Sequence, residues 1–535
     1  MRKLLFFGLT TLSITAMGQS IEEAKQLLYY DRYQSAEQVL QQVIQQKDDE
    51  KQAYYWLTEV YLENDDIEKA KSLLEPNATS LAAAHPLNRV AYGSLLLNQD
   101  KLAEARAQFD AALKESKRKD EAVIKAVAKA QVENEKGDAA YALQVLNEIK
   151  EKKTDAEVLS IKGDAYRKLG QGSESAKAYM EALIKNDKYA EAAFKLGKIY
   201  LTQKNTEMFL KYFNQAIEAD PKYAAAYYEL YYYYYFRDVN KAKEYLDLYV
   251  ANTDKTVEHQ YMTTDLMFAS SKYSEAISGA NAILQQEGEK TKPRLYKLLA
   301  YSYDASGDST KALEYLQTYF SKEVDSNLVA KDYDLQAKLL TKTGNDSLAL
   351  QSWERAIAMD TVTEYKLEYM QQLANWYKEK ENRSGEARWL GKIFETKEDP
   401  NNLDIYNWGL AHYAAAEYNA ADSVFGLYTA KYPDQVYGFY WRAKSRAQID
   451  TTMELGLAIQ DYLKVIEIAE KDVEKNKSLL LQAYGYLGAY EANVKKDYPA
   501  ALGWFEKILA VQPDNADAER FAGILKKWIS DGGPK

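Results

Sequence analysis

The feature that most constrains this chain is a period of 34 residues. Gly163, Tyr166, Tyr179, Ala182 and Asp187 are answered by Gly197, Tyr200, Phe213, Ala216 and Pro221, each 34 residues further on. Five small, aromatic and turn positions in one register mean that a single structural unit is copied along the chain. Such a unit buries its apolar face only against a neighbouring copy. Followed outward, the small position recurs at Ala36, Ala70, Ala105, Ala142, Ser175, Phe209, Ala242, Ala276, Ala312, Ala349, Ala387, Ala421, Ala458 and Ala501. That makes about 14 units, most of them 33 to 38 residues apart, with a last step of 43. The units around Ala276, Ala387 and Ala458 follow the pattern least well.

The unit reads as two helices and a turn. Only 9 Pro and 24 Gly interrupt 535 residues dominated by helix-forming types, which leaves little room for a sheet. A small residue in the first helix (Gly93, Gly163, Gly197, Ala300, Ala337) lets the second approach closely, and one in the second (Ala105, Ala312, Ala349, Ala421) accepts the return contact. Four residues on, Phe109, Tyr179, Phe213, Leu316, Trp353, Phe425 and Phe505 occupy the next turn of the same face. Gly137, Gly170, Gly307 and Gly344 suit left-handed helix ends. Breaks are expected around Pro76 and Pro86, before Pro293 and around Pro400.

The pattern resembles the tetratricopeptide repeat (TPR) family. The segment KLGKIYLTQKNTEMFLKYFNQAIEADP follows the family consensus closely, apart from Phe209 where a small residue is usual, and LGAYEANVKKDYPAALGWFEKILAVQPDN is a second strong match. The resemblance implies an all-α fold, an α-solenoid in the form of a right-handed superhelix, with repeat arrays over 19–290 and 291–515. The stretch 516–535 reads as a capping helix and tail. It also implies a non-catalytic scaffold that holds a protein or extended peptide in a groove lined by the first helices. The Lys and Asn carboxylate clamp of chaperone-binding members is not matched, because Asp164, Lys198 and Tyr232 stand at its positions.

Forty-six tyrosines include the run YYELYYYYYF over 227–236. With Tyr231 at the small position and Tyr227 and Tyr234 packed inside, Tyr228, Tyr232 and Tyr235 form one stripe at helical spacing toward the groove. Phe194, Leu201, Tyr261 and Phe268 on neighbouring first helices are expected to extend that wall, and Tyr406, Tyr413, Tyr437 and Tyr440 to form a second patch. The other reading is that these rings fill a wide core and its rims.

Several function classes lose their footing. With 80 Asp and Glu against 69 Lys and Arg, the net charge of -11 gives no electrostatic basis for nucleic-acid binding. The chain has no Cys, so it lacks disulfides and thiolate metal sites. His85, His259 and His412 have no second ligand at metal spacing, and the sequence contains no phosphate loop or nucleophile elbow, so no cofactor or metal is expected. Residues 1–18, basic at Arg2 and Lys3 and then apolar to Ala16, read as a secretory leader too short to span a bilayer. The expected location is therefore periplasmic or secreted, in a cell-envelope transport, secretion or biogenesis complex. A carbohydrate or small-ligand component of an uptake system is the alternative. Asp346-Ser347-Leu348, Asp360-Thr361-Val362 and Asp422-Ser423-Val424 resemble bacterial O-glycosylation acceptors, and are ordinary turn and capping pairs as well.

Overall fold

Helix, short turn, helix is the order throughout the computed structural model, which describes residues 20–46 and 50–533. The leader expected at 1–18 lies outside the described residues. Among the described residues there is no strand, and no helix is long and apolar enough to cross a membrane. Two compact units divide the chain, one ending at Ser302 and the other beginning at Tyr303, inside the helix Pro293–Ala305. Eight helix pairs precede that helix, from Ile21–Tyr29 with Tyr33–Gln46 to Val257–Ala269 with Tyr273–Glu287. In the second unit Ser309–Lys322 leads into five more pairs, and Ala516–Asp531 packs on the last of them as the expected cap.

The small positions form the seam of the packing. Every alanine in the series from Ala36 to Ala501 is 0% exposed, and so is Ser175; Phe209 is 3% exposed. The bulky residues one turn later lie across the small residue of the first helix. A methyl group placed on Gly197 would stand 2.7 Å from the Phe213 ring, and one on Gly93 would stand 2.5 Å from Phe109. Only glycine permits that approach while the rings keep their place. Phe109 and Phe213 are both 0% exposed, so neither ring has room to retreat.

Turns use the left-handed conformation as expected at Gly170, Gly307 and Gly344. Gly137 does not: its φ is not positive, and what excludes a side chain there is the backbone carbonyl of Gln131. Equivalent turns are made by Asp31, Asp65, Asp100, Lys204, Ser271 and Ala416, all with φ between 56° and 59°. The breaks have distinct structures. The first holds an extra helix, Ala78–Ala84, before Pro86 opens the next. The Pro293 and Pro400 stretches are short turns that lead straight into helix starts. The long step from Ala458 to Ala501 arises because Val473–Tyr490 runs 18 residues and is prolonged by a π-turn over Glu491–Lys495.

Candidate functional site

First helices supply most of the inner wall of the first unit. Side chains from Ile21–Tyr29, Glu50–Glu63, Pro86–Asn98, Glu121–Glu133, Ala156–Lys168 and Ala190–Thr202 line one cavity of about 960 Å³, together with Asp31, Tyr189 and Tyr223 from the adjoining turns and Tyr33 at the start of the helix Tyr33–Gln46. The wall is closed by the corner between the first two helices. There the Tyr30 hydroxyl donates to Asp220 at 2.9 Å, 190 residues away. Asp254 accepts the Ser35 amide at 3.0 Å and the Ser35 hydroxyl at 2.5 Å, and its carboxylate stands 3.3 Å from Arg32 Nε. Burial pushes the Asp254 carboxyl up, yet Ser35 and Arg32 together hold it below the usual range. Tyr29 packs on Tyr223 with ring centroids 5.4 Å apart, adding an aromatic contact to the polar ones.

Inside, charged residues stand one helical turn apart on the same faces: Glu59 and Glu63; Lys125, Lys129 and Glu133; Glu191 and Lys195. Lys129 Nζ lies 3.0 Å from Glu63 and 3.4 Å from Glu133. Burial alone would pull this ammonium down, but Glu133, Glu63 and Glu59 hold it well above its ordinary value. Lys125 is bound to Asp155 and Glu157, each at 2.6 Å, and Lys195 to Asp164 at 2.6 Å and to Glu191. The Tyr189 hydroxyl donates to Glu191 at 2.5 Å. Burial would raise the Glu191 carboxyl, yet Lys195 and Tyr189 hold it below the usual range.

Three groups in this wall are left over. Glu59 is 5% exposed and, among the described residues, makes no hydrogen bond or ion pair. Burial pushes its carboxyl up to about 7, against the pull of Lys129 and with the push of Glu63. Ser94 Oγ, on a residue 5% exposed, and Trp56 Nε1 are buried without a partner. Carboxylate oxygens of Glu59, Glu63 and Glu133 lie within 4.8 Å of one another. A divalent cation fits this group poorly, because the Lys129 ammonium is already bonded to two of its three members. What the wall offers is a sink for positive charge with aromatic and aliphatic surface beside it.

The tyrosine run lies elsewhere on the same unit. Tyr227 and Tyr231 are buried, and Tyr234 stacks on Tyr245. Tyr228 is 39% exposed and Tyr232 is 59% exposed, with their rings 6.3 Å apart. Tyr235 is half-buried, and its hydroxyl donates to the Asp265 carbonyl at 3.1 Å. Phe194 is half-buried between Phe213 and Tyr223, behind the cavity wall, and Leu201 packs partly buried against the Phe209 cluster. Phe268 packs on Tyr273 and Tyr301. Tyr261 departs from the expected wall. It is 1% exposed, the Lys292 amide donates to its hydroxyl at 3.0 Å, and the Arg294 guanidinium covers its ring at 4.7 Å. Its ring belongs to the packing between successive repeats.

In the second unit Tyr437 is 50% exposed, whereas Tyr440 is 7% exposed and donates to Gln482 at 2.7 Å. Tyr406 accepts from Trp441 Nε1 at 3.0 Å, and Tyr413 packs on Trp441. The histidines are engaged locally. His85 accepts the Leu87 amide at 3.2 Å, His259 lies 3.2 Å from the Thr253 hydroxyl, and His412 lies 2.6 Å from Glu417. Of the clamp positions, Asp164 accepts from Tyr179 and Lys195, and Lys198 is paired with Glu229 at 2.5 Å.

Comparison with known proteins agrees with the helix pairs. Residues 27–76 and 162–224 each match a family model described as a tetratricopeptide repeat. A TPR repeat-containing protein of Methanocaldococcus jannaschii is 24% identical over 362 residues, which is 65% of this chain. The chain spans 58% of that relative's length. Among solved structures, the C-terminal part of a TPR repeat-containing protein from Cytophaga hutchinsonii is 28% identical, covering 48% of this chain and 98% of that one with a TM-score of 0.33. A tetratricopeptide repeat protein from Parabacteroides merdae is 16% identical, covering 53% of this chain and 96% of its own, with a TM-score of 0.22.

Proposed function

With helix pairs of the tetratricopeptide type as the frame, we propose that this chain is a non-catalytic interaction scaffold whose first unit holds an extended segment of a protein partner. One observation carries the reading. The inner wall built by successive first helices keeps Ser94 Oγ and Trp56 Nε1 buried without partners, beside a Glu59 carboxylate that makes no hydrogen bond or ion pair, and buried polar groups without partners cost the fold free energy. An extended peptide supplies the missing partners, since each residue brings a carbonyl and most bring an amide. Proteins with tetratricopeptide repeats bind protein or peptide partners in general, which agrees with this use of the wall. The exposed rings of Tyr228 and Tyr232 provide a second contact surface on the same unit.

The leader at 1–18 directs this scaffold to the periplasm or the cell exterior, where an envelope transport, secretion or biogenesis complex supplies the partner. The aromatic lining of the cavity, with Trp56 and several tyrosines in its wall, favours one second reading, an uptake component that stacks a sugar ring. Cross-linking and affinity capture from the native envelope separates the two. The expected result is a discrete set of captured proteins that is lost with Glu63→Lys in the cavity and reduced with Tyr228→Ala and Tyr232→Ala, all variants keeping wild-type helicity. Capture unchanged by both sets of substitutions contradicts the scaffold reading. Oligosaccharides that raise the melting temperature while no protein is captured would establish the second.

A further inference from the structure

The charge in the first unit's cavity is one-sided, and its positive half is already spent. Eight acidic side chains and four lysines line it. Lys125, Lys129 and Lys195 are bound to carboxylates as described, and Lys25 is 3.0 Å from Glu22 with its ammonium over the Trp56 ring. An anionic ligand therefore finds no uncommitted lysine in this wall. A cationic one finds Glu59, which is buried and unpaired, next to Glu63 and Glu133.

We propose that the cavity recognises a lysine side chain of an extended peptide, its ammonium bonded to Glu59 and flanked by Glu63 and Glu133. This rests on the peptide-holding reading above and names the chemistry of the segment held. Three observations lead to it. The Glu59 carboxylate lies within 4.8 Å of those of Glu63 and Glu133, and because Lys129 already holds those two, the incoming ammonium takes Glu59 as its direct partner with the other two as flanking charge. Lys129 reaches Glu63 and Glu133 but not Glu59, so one member of the group still lacks its counter-charge.

Next, the wall beside the carboxylates is apolar, formed by Leu62, Ala126, Ala130 and the Tyr55 and Trp56 rings, as the methylene stem of a lysine requires. Last, Trp56 Nε1 and Ser94 Oγ are buried without partners in the same cavity, where one can donate to a backbone carbonyl and the other can exchange a hydrogen bond with the peptide. A free diamine fills the first requirement but not the last, which is why the geometry favours a peptide.

Saturation-transfer NMR with the full chain tests this, using the capped peptide Ala-Ala-Lys-Ala-Ala, its Nε-acetyl-lysine and arginine counterparts, and cadaverine as probes. The lysine peptide is expected to bind at least about tenfold tighter than the acetylated one. Glu59→Gln is expected to remove that preference, and Trp56→Phe to weaken the peptide while leaving cadaverine unchanged. Equal binding of the lysine and acetyl-lysine peptides would overturn the ammonium assignment and leave the peptide reading standing. Cadaverine binding as tightly as the lysine peptide would overturn the peptide reading and leave the ammonium site. Arginine matching lysine, or no probe binding at all, would overturn the inference itself.

Discussion

Glu59 is where the fold and the proposed function pull in opposite directions. Its carboxyl titrates near 7 in the folded chain against an ordinary 4.5, because burial disfavours the charged form more than Lys129 favours it. An acid whose folded value is raised contributes its stabilisation below the unfolded value, and that contribution is lost as pH rises from 4.5 through 7. Glu59→Gln is therefore expected to be more stable than wild type at pH 8 by about 1–3 kcal/mol, with the gain disappearing below pH 4.5, as read by thermal melting across that range. The charges facing Glu59 are Lys129, Glu63 and Glu133, and binding of an ammonium adds another positive one that favours the ionised form. Gly197 represents the opposite kind of residue, one that serves packing alone. Gly197→Ala forces its new methyl group to 2.7 Å from the Phe213 ring, and a loss of about 1–3 kcal/mol is expected by chemical denaturation.

At the scale of elements, much of this molecule was legible in the sequence because its helix pairs are local. The small position could be followed from Ala36 to Ala501 and is buried at every step, since a 3.6-residue period and one packing rule decide it. The Tyr227–Phe236 helix also sorted its rings by register, burying Tyr227 and Tyr231 and leaving Tyr228 and Tyr232 exposed. Tyr261 is buried instead of lining the wall because the residues that cover it, Lys292 and Arg294, belong to the following repeat. The cavity had only a faint signal. Its charges at i and i+4 look like ordinary solvated ion pairs on a helix, and what makes them a wall is the corner at Tyr30, Arg32 and Ser35 meeting residues 190 to 222 positions away. No spacing within the sequence announces such a contact.

That corner has its own testable behaviour. Asp254→Ala removes the acceptor for Ser35 and the partner of Arg32, so amide exchange is expected to rise across Ile21–Tyr29 and Tyr33–Gln46 while later helices keep wild-type protection. Acid acts in the same direction. A carboxyl held below 3.8 contributes above that value and loses its contribution as pH falls through its lowered value, so the corner loosens below about pH 4.

At the scale of the first unit, holding a peptide requires the N-terminal helix pair to form one side of the cavity through the corner contacts to Asp220 and Asp254. The absence of Cys makes this measurable with two introduced labels. Spin labels at Gln34→Cys and Lys255→Cys, both on exposed residues beside the Ser35–Asp254 contact, report the distance across the closure by pulsed electron–electron resonance. The expected result is one narrow population at the short end of the measurable range, broadening when Asp254→Ala is added. A broad, long distribution in the otherwise unaltered chain would contradict the account.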